Sequence, residues 1–354
     1  MNTFLITGGA GFIGSSIAIR LKRDRENIRV VALDNLRRRG SELNITRLQD
    51  NGVEFVHGDV REKDDLNVMK KIDCILDCSA EPSVLAGYMD SPEYVVNANL
   101  IGTLNCLELA RKHGSAIIFL STSRVYPMNR INNLKFEETP TRYELMDQDM
   151  RGVSSAGLSE EFPIEGTRSL YGATKLASEL IMQEYLEMYR LRGIINRCGV
   201  ITGPWQMGKP EQGFVVLWVA RHVFGGSLSY IGFEGNGKQV RDILHIEDLY
   251  RLLKIQIDHL EELKNQIFNV GGGREVSLSL QELTALCEQA TGNRIDIQRV
   301  SETRPADIRI YMSDCRKVRE RTGWMPFIQA GDIINEVAAW IHDHGIQLRP
   351  IFGS

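Results

Sequence analysis

The chain has 354 residues, enough for one large domain or two intimate ones with a sizeable core. With 43% hydrophobic residues, 25% charged residues and a formal net charge of −4, it offers no electrostatic footprint for nucleic acid or an anionic membrane. Its six cysteines (74, 78, 106, 198, 287 and 315) form no CxxC pair. Cys74 and Cys78 lack the further His or Cys ligands that zinc requires, so they read as buried thiols and no metal is expected. No apolar run approaches the roughly 18 residues of a membrane span. Met1 leads into an apolar run without a basic segment or cleavage site, so a soluble cytoplasmic protein is expected.

Thr3–Thr7 has the pattern of a short buried strand and runs into Gly8-Gly-Ala-Gly11-Phe12-Ile13-Gly14, then a helical stretch from Ser15 to Arg23. Glycines between a strand and a helix allow a tight turn and a close approach of a pyrophosphate to backbone N–H groups, with the helix dipole adding to the attraction. A second strand, Ile28–Leu33, ends in Asp34, twenty residues after Gly14. A carboxylate there accepts hydrogen bonds from an adenosine ribose and repels a 2′-phosphate, which favours NAD over NADP. The neighbouring Arg37-Arg38-Arg39 is the opposing signal, a clamp for such a phosphate, and is weighed as a solvated loop. A third strand, Val53–His57, leads to Asp59-Val60, with Asp59 placed for the adenine amine or as a turn residue.

A fourth strand, Ile72–Asp77, ends in Cys78-Ser-Ala80-Glu81, where small residues let a dinucleotide lie against backbone. Asn97–His113 is amphipathic and helical. The fifth strand, Ser115–Leu120, ends in Ser121-Thr122-Ser123-Arg124-Val-Tyr126. Alternating strands and helices predict an α/β fold with a doubly wound parallel sheet. Then comes Tyr171-Gly-Ala-Thr-Lys175, which puts a phenol and an ammonium on one helical face. A phenol with a pKa near 10 is no base at neutral pH unless a neighbouring cation favours its phenolate. A hydroxyl at the end of strand five is placed to orient that phenol and bind a substrate oxygen, although serines after strands are usually turn residues.

Together these residues resemble the extended short-chain dehydrogenase/reductase superfamily, specifically its nucleotide-sugar epimerases and dehydratases. The likeness continues through Gly203-Pro204, Arg241-Asp242-Ile-Leu-His245, Phe268–Gly272, Arg304-Pro-Ala-Asp307 and Gly323-Trp-Met-Pro326, covering nearly the whole chain. Within it, Asp34–Gly40, Thr141–Glu144, Glu211-Gln212-Gly213-Phe214 and Gly235–Asp242 are most similar to the CDP-tyvelose (CDP-paratose) 2-epimerase family. The resemblance implies a Rossmann-type NAD domain over 1–196, completed by about 239–266. A smaller mixed α/β substrate domain over 197–354 and a homodimer built on helices near 97–113 and 171–190 are also implied.

It further implies Tyr171, Lys175 and Thr122 as catalytic residues. NAD contacts fall on Gly8, Gly11, Phe12, Ile13, Gly14, Asp34, Asn35, Asp59, Val60, Ala80, Glu81, Asn99, Ser121, Tyr171 and Lys175. Candidates for the nucleotide-diphosphate sugar are Glu81, Ser123, Arg124, Arg168, Asn196, Gln212, Gly213, Arg241 and Arg304. Of these, Arg241 and Arg304 stand in two family motifs as clamps for the diphosphate, since guanidinium matches phosphate oxygens bidentately.

Three departures bear on the reaction. Dehydratases of this type need an Asp-Glu pair after the strand-five threonine to expel water, and here Ser123-Arg124 follows, so dehydration lacks its general acid. The usual His-x-Ala after strand four is here Asp77-Cys-Ser-Ala80, and Glu81 stands where the 2-epimerases have a glutamine. Residues 127–168 form a long connection expected to border the sugar site, and the tail from Ala330 to His344 reads as a structural amphipathic helix.

Overall fold

The computed structural model describes residues 1–209 and 212–352; Pro210 and Glu211, the latter opening the Glu211–Phe214 motif, lie outside the described residues. Two compact units divide the chain: 1–125 with 169–197 and 250–268, and 126–168 with 198–249 and 269–354.

The first unit is built on β1 (Thr3–Thr7), β2 (Arg29–Asp34), β3 (Glu54–His57), β4 (Cys74–Asp77), β5 (Ala116–Thr122), β6 (Gly193–Cys198) and β7 (Gln266–Val270). These form one sheet in the order β7-β6-β5-β4-β1-β2-β3. The registered pairs β1–β2, β1–β4, β2–β3 and β4–β5 are all parallel. Order reverses at β1/β4, and the carboxyl ends of strands flanking such a switch point are where ligands bind in open α/β sheets. β5 is buried along its whole length, as a strand covered on both faces should be, and its β-branched and aromatic residues suit it. Its core includes Leu5, Val31, Ile75, Ile117, Phe119 and Ile195 from the sheet, with Leu107 and Met182 from helices.

Helices α1 (Phe12–Asp24), α2 (Leu43–Asp50), α3 (Glu93–Val96), α4 (Gly102–His113) and α5 (Leu170–Met188) belong to this unit. The expected helix over 97–113 is interrupted at its start: Asn97–Ile101 is a π-turn between α3 and α4. Such a bulge widens one turn and frees a carbonyl from the ladder. Here the Asn99 carbonyl accepts the Ser178 Oγ hydrogen bond at 3.0 Å.

The second unit differs from its expected bounds in two ways. Residues 126–168 group with it and not with the dinucleotide half. They are not a plain loop but carry two hairpins, Phe136–Glu138 with Tyr143–Leu145 and Val153–Ser154 with Gly157–Leu158. Leu158 N–H donates to the Met312 carbonyl and Tyr126 stacks on Tyr311, which fixes the segment to this unit's own chain. The stretch Ile194–Thr202, whose apolar pattern predicts a single sixth strand, also breaks. The strand ends at Cys198, and after Gly199 the chain re-forms as Val200–Thr202, pairing in parallel with Val240–His245 in a different, mixed sheet. The tail helix spans Ala330–Asp343 and buries Trp340 and Ile341, and a further helix, Gly345–Phe352, follows.

Candidate functional site

The loop between β1 and α1 is shaped by backbone crowding. Gly8 has φ +63°, and a Cβ on Gly14 would lie 2.2 Å from the Gly8 carbonyl oxygen. Only glycine tolerates such approach. Gly11 caps α1 without a side-chain hydrogen bond, and the first turn, with Phe12 and Ile13 half-buried, contains no acid. A helix start of this kind receives an anion. The cradle therefore fits a dinucleotide pyrophosphate.

Asp34 braces this loop. Its Oδ2 accepts from Ala10 N–H at 3.1 Å and Gly11 N–H at 3.2 Å, and its Oδ1 accepts from Leu36 N–H at 2.8 Å. Burial raises its pKa, and the Asp59 charge adds to the rise against those three donors. Asp59 behaves in the opposite way. Burial works against its ionisation, but Arg61 (2.7 Å) and Asn35 (2.9 Å) more than offset it and bring the pKa down to about 2. Arg37 lies 3.7 Å from the Tyr94 ring centroid and Arg61 lies 4.9 Å from it, so two guanidinium groups use one aromatic ring. Arg37 thus has a partner of its own, which a purely solvated loop would not provide. Val60 is buried, and Asn105 Nδ2 donates to its carbonyl at 2.9 Å.

At the end of β4, Asp77 is fully buried and accepts from Thr7 Oγ1 (2.8 Å), Ser79 Oγ (2.7 Å) and Thr103 Oγ1 (3.0 Å). It thereby joins β1, the β4 turn and α4 directly beneath the glycine loop. Ala80, a little further along the chain, is exposed. Glu81 is half-buried, its carboxylate accepting from Ser83 N–H at 3.2 Å.

The phenol–ammonium pair stands on α5. Ser169 is its N-cap, accepting from Gly172 N–H at 3.4 Å, which sets the helix start so that Tyr171 falls in the first turn and Lys175 one turn on. The helix packs on β5 and the turn at 123–125. Tyr171 is half-buried, whereas Lys175 is 2% exposed, its Nζ 4.2 Å from the Phe119 ring centroid. Thr122 ends β5 with its Oγ1 accepting from Arg124 N–H at 3.2 Å; Ser123 and Arg124 are half-buried in the short 3-10 turn that follows. Tyr171, Lys175 and Thr122 thus lie in one unit, on a helix and strand packed together.

Several expected contacts find other uses. Asn99 is fully buried. Its Oδ1 accepts from Glu81 N–H at 2.7 Å, and its Nδ2 donates to the Glu81 carbonyl and Thr174 Oγ1. It ties the β4 loop to α5. Ser121 is also buried, and its hydroxyl donates to Glu179. Asn196 is fully buried and exchanges two 2.8 Å hydrogen bonds with Gln256 in the interior of the first unit. Its place on a fully buried strand, flanked by Ile194 and Ile195, is the signal in the sequence that points this way.

In the second unit, Arg168 donates to the Ile164 and Gly166 carbonyls, stapling its own loop. Arg241 pairs with Asp307 at 2.8 Å and donates to the Ile308 carbonyl, so the two arginine motifs interlock within that unit. Arg304 and Gln212 are half-buried, and Gly213, with φ +74°, caps the helix Phe214–Phe224. Among the described residues, no cluster of His, Cys, Asp or Glu could hold a metal, and no helix is long and apolar enough to cross a membrane.

The comparisons with known proteins point to NAD-dependent epimerases and dehydratases of nucleotide sugars. Residues 4–271 match the model of the NAD dependent epimerase/dehydratase family. The CDP-paratose 2-epimerase of Salmonella typhi is 31% identical over 344 residues, covering 95% of this chain and 98% of the relative. The dTDP-glucose 4,6-dehydratase of Salmonella typhimurium is 26% identical over 351 residues, covering 95% and 91%. Among solved structures, a dTDP-glucose 4,6-dehydratase of Streptomyces venezuelae with NAD superposes with TM-score 0.80 at 26% identity, covering 99% of each chain.

Proposed function

This chain belongs to the NAD dependent epimerase/dehydratase family, and on that premise we propose that it epimerises a nucleotide-diphosphate sugar, most specifically at C2 of a CDP-sugar. The observation that carries the choice between epimerase and dehydratase is the turn after Thr122. Expelling a sugar hydroxyl requires a carboxylic acid to protonate it, and the residues there are Ser123 and Arg124. The CDP-paratose 2-epimerase relative favours the nucleotide and the carbon over a C4 epimerase or a reductase.

Gly8, Gly11, Phe12, Ile13 and Gly14 would hold the NAD pyrophosphate, Asp34 and Asn35 the adenosine ribose, and Asp59 the adenine amine. The chemistry that bound NAD supplies is acceptance of a hydride from the sugar carbon and its return to the opposite face. Tyr171, as phenolate, removes the hydroxyl proton from that carbon's oxygen and restores it afterwards. Lys175, dry and held against Phe119, supplies the positive charge that makes the phenolate accessible. Thr122 donates to the oxygen that becomes a carbonyl and keeps it in line with the phenol. Arg304 and Arg241, with Gln212 and Gly213, are the second unit's candidates for the nucleotide diphosphate, Arg241 sharing its guanidinium with Asp307.

A cytoplasmic homodimer completes the proposal. Ile101, Leu180, Met188 and Tyr189 are exposed at and around α4 and α5, and an apolar surface of this kind suits a second copy. Light scattering should then give twice the chain mass. The decisive experiment is NMR of CDP-, UDP-, GDP- and dTDP-sugars incubated with the protein. A C2 epimer of a CDP-sugar with no net change in NAD absorbance is expected. Net NADH consumption would turn the assignment to a reductase, and loss of water from the sugar would turn it to a dehydratase.

A further inference from the structure

The loop that carries Gln212 and Gly213, two of the candidates for the nucleotide, starts at Gly203 in the second unit. Both its ends are seated on the tail helix Ala330–Asp343. Near its start, Trp205 holds φ +72°, a left-handed backbone that a bulky residue rarely adopts and that persists only where the surroundings enforce it. Those surroundings are aromatic. The Trp205 ring lies 5.7 Å from the Trp340 ring and, edge-on, 4.9 Å from the His344 ring, centroid to centroid, within the range of favourable ring pairs. At the loop's other end, Gly213 caps the helix Phe214–Phe224, which packs on the same tail helix. Between the two ends, Lys209 N–H donates to the Gln212 carbonyl at 2.6 Å and Gln212 N–H to the Lys209 carbonyl at 3.0 Å.

Glu336, Trp340 and His344 follow at the four-residue spacing that places side chains on one face of a helix. Trp340 is buried, and its Nε1 has no hydrogen-bond partner among the described residues, so the indole contributes through ring contact. The helix that carries it is itself fixed from two sides. Just before its first turn, Asp248 Oδ2 accepts from Phe327 N–H at 3.0 Å and Ile328 N–H at 2.9 Å. Further along, Glu336 Oε2 lies 3.3 Å from Nε2 of His245, whose Nδ1 accepts from Glu247 N–H at 3.3 Å. The same imidazole bears on the start of the loop, since a Cβ on Gly203 would lie 3.1 Å from its Nε2. The tail helix is therefore a fixed platform, and the loop stands on it.

We propose that the tail helix sets the nucleotide loop, with Trp205 and Trp340 as positioning residues: their ring contact holds the loop in the shape that presents Gln212 and Gly213 to the nucleotide. The inference rests on the proposed nucleotide role of that loop, and one readout of its test needs no nucleotide.

The first readout is hydrogen exchange of the full-length, NAD-bound protein, comparing the Lys209 and Gln212 amides with those of the Phe214–Phe224 helix. Trp205→Ala and Trp340→Leu should each speed exchange in the loop about tenfold and change the helix by less than about twofold. The second readout is calorimetric titration with CDP. Each single variant should bind it about tenfold more weakly, and the double variant no more weakly than either, because both act through one contact. Trp205→Phe, which keeps a ring, should stay within about threefold of the wild type. Unchanged loop exchange overturns the proposal. So does a rise spread evenly over loop and helix, which is general loosening, and so do affinity losses that add in the double variant. Should Trp340→Leu not fold, the half-buried Trp205 carries the test through its Ala and Phe variants. If loop exchange rises as expected but CDP does not bind, or binds every variant alike, the anchoring stands and the nucleotide role of the loop falls.

Discussion

Glu179 in the first unit and Asp242 in the second are both buried outright, and the two units keep their carboxylates in different ways. Glu179 has a forked guanidinium and a hydroxyl. Asp242 is walled by glycines: a Cβ on Gly271 would lie 2.0 Å from its Oδ2. Its Oδ2 accepts from Ser313 N–H at 3.1 Å and Gly273 N–H at 3.3 Å, while its Oδ1 has no hydrogen-bond partner among the described residues. Burial, only partly offset by those donors, pushes its pKa up to about 6. A buried charge must be neutralised by a partner or by a proton. The unit that carries the proposed base uses a partner, so the field there is fixed. The other unit uses backbone dipoles and leaves a group that takes a proton within reach of ordinary pH.

The largest expected effect lies outside both carboxylates. Tyr171→Phe should lower turnover by about 10²- to 10⁴-fold with an unchanged melting temperature and retained NAD, measured by kcat and by cofactor content of the purified protein. A large loss of stability instead would mean that the phenol belongs to the same structural network as Glu179. Next, Glu179→Ala, which strands Arg197 in a dry site, should cost about 3–5 kcal/mol in urea unfolding. The conservative Asp242→Asn should cost much less, because no charged partner is stranded. Equal costs would erase the contrast between the units.

The third effect is a pH dependence. The folded Asp242 pKa lies above the ordinary aspartate value of 3.8, so between about pH 4 and 6 the folded state binds more protons than the unfolded state. Stability from this group is fully present below about pH 4 and declines as pH rises through 6, by about 3 kcal/mol in all. Melting curves across that window should show this decline relative to Asp242→Asn. A flat difference would mean that Asp242 is as well paired as Glu179. Smallest, Ser169→Ala should cost about 1 kcal/mol by removing the cap that starts α5, detected by chemical unfolding.

Much of the candidate site is legible in the chain itself. The glycine spacing, the acid ending β2 and Tyr171 four before Lys175 are local signals, because their geometry follows from a turn, a strand end or a helical period. Glu179 is legible in principle as a helical neighbour of Lys175, four residues beyond it, but the spacing gives no hint of its strand partner. The residue that captures it, Arg197, is 18 positions away on a strand. Asn99 and Asn196 fit family expectations as ligand contacts, and only packing shows their amides spent on Glu81 and Gln256. Strand six runs on through Gly199 in the sequence pattern because nothing apolar or polar there marks a change of sheet.

The sequence by itself determined the alternation of strands and helices, the pyrophosphate loop and the order of the proposed base and its ammonium, all set by interactions within a few residues. Only the tertiary structure decided which buried polar groups face each other, where residues 126–168 belong, and that the Glu179 carboxylate meets Arg197 and Ser121. Those outcomes depend on desolvated pairings between segments far apart in the chain, whose strength comes from burial, and burial is a property of the packed molecule.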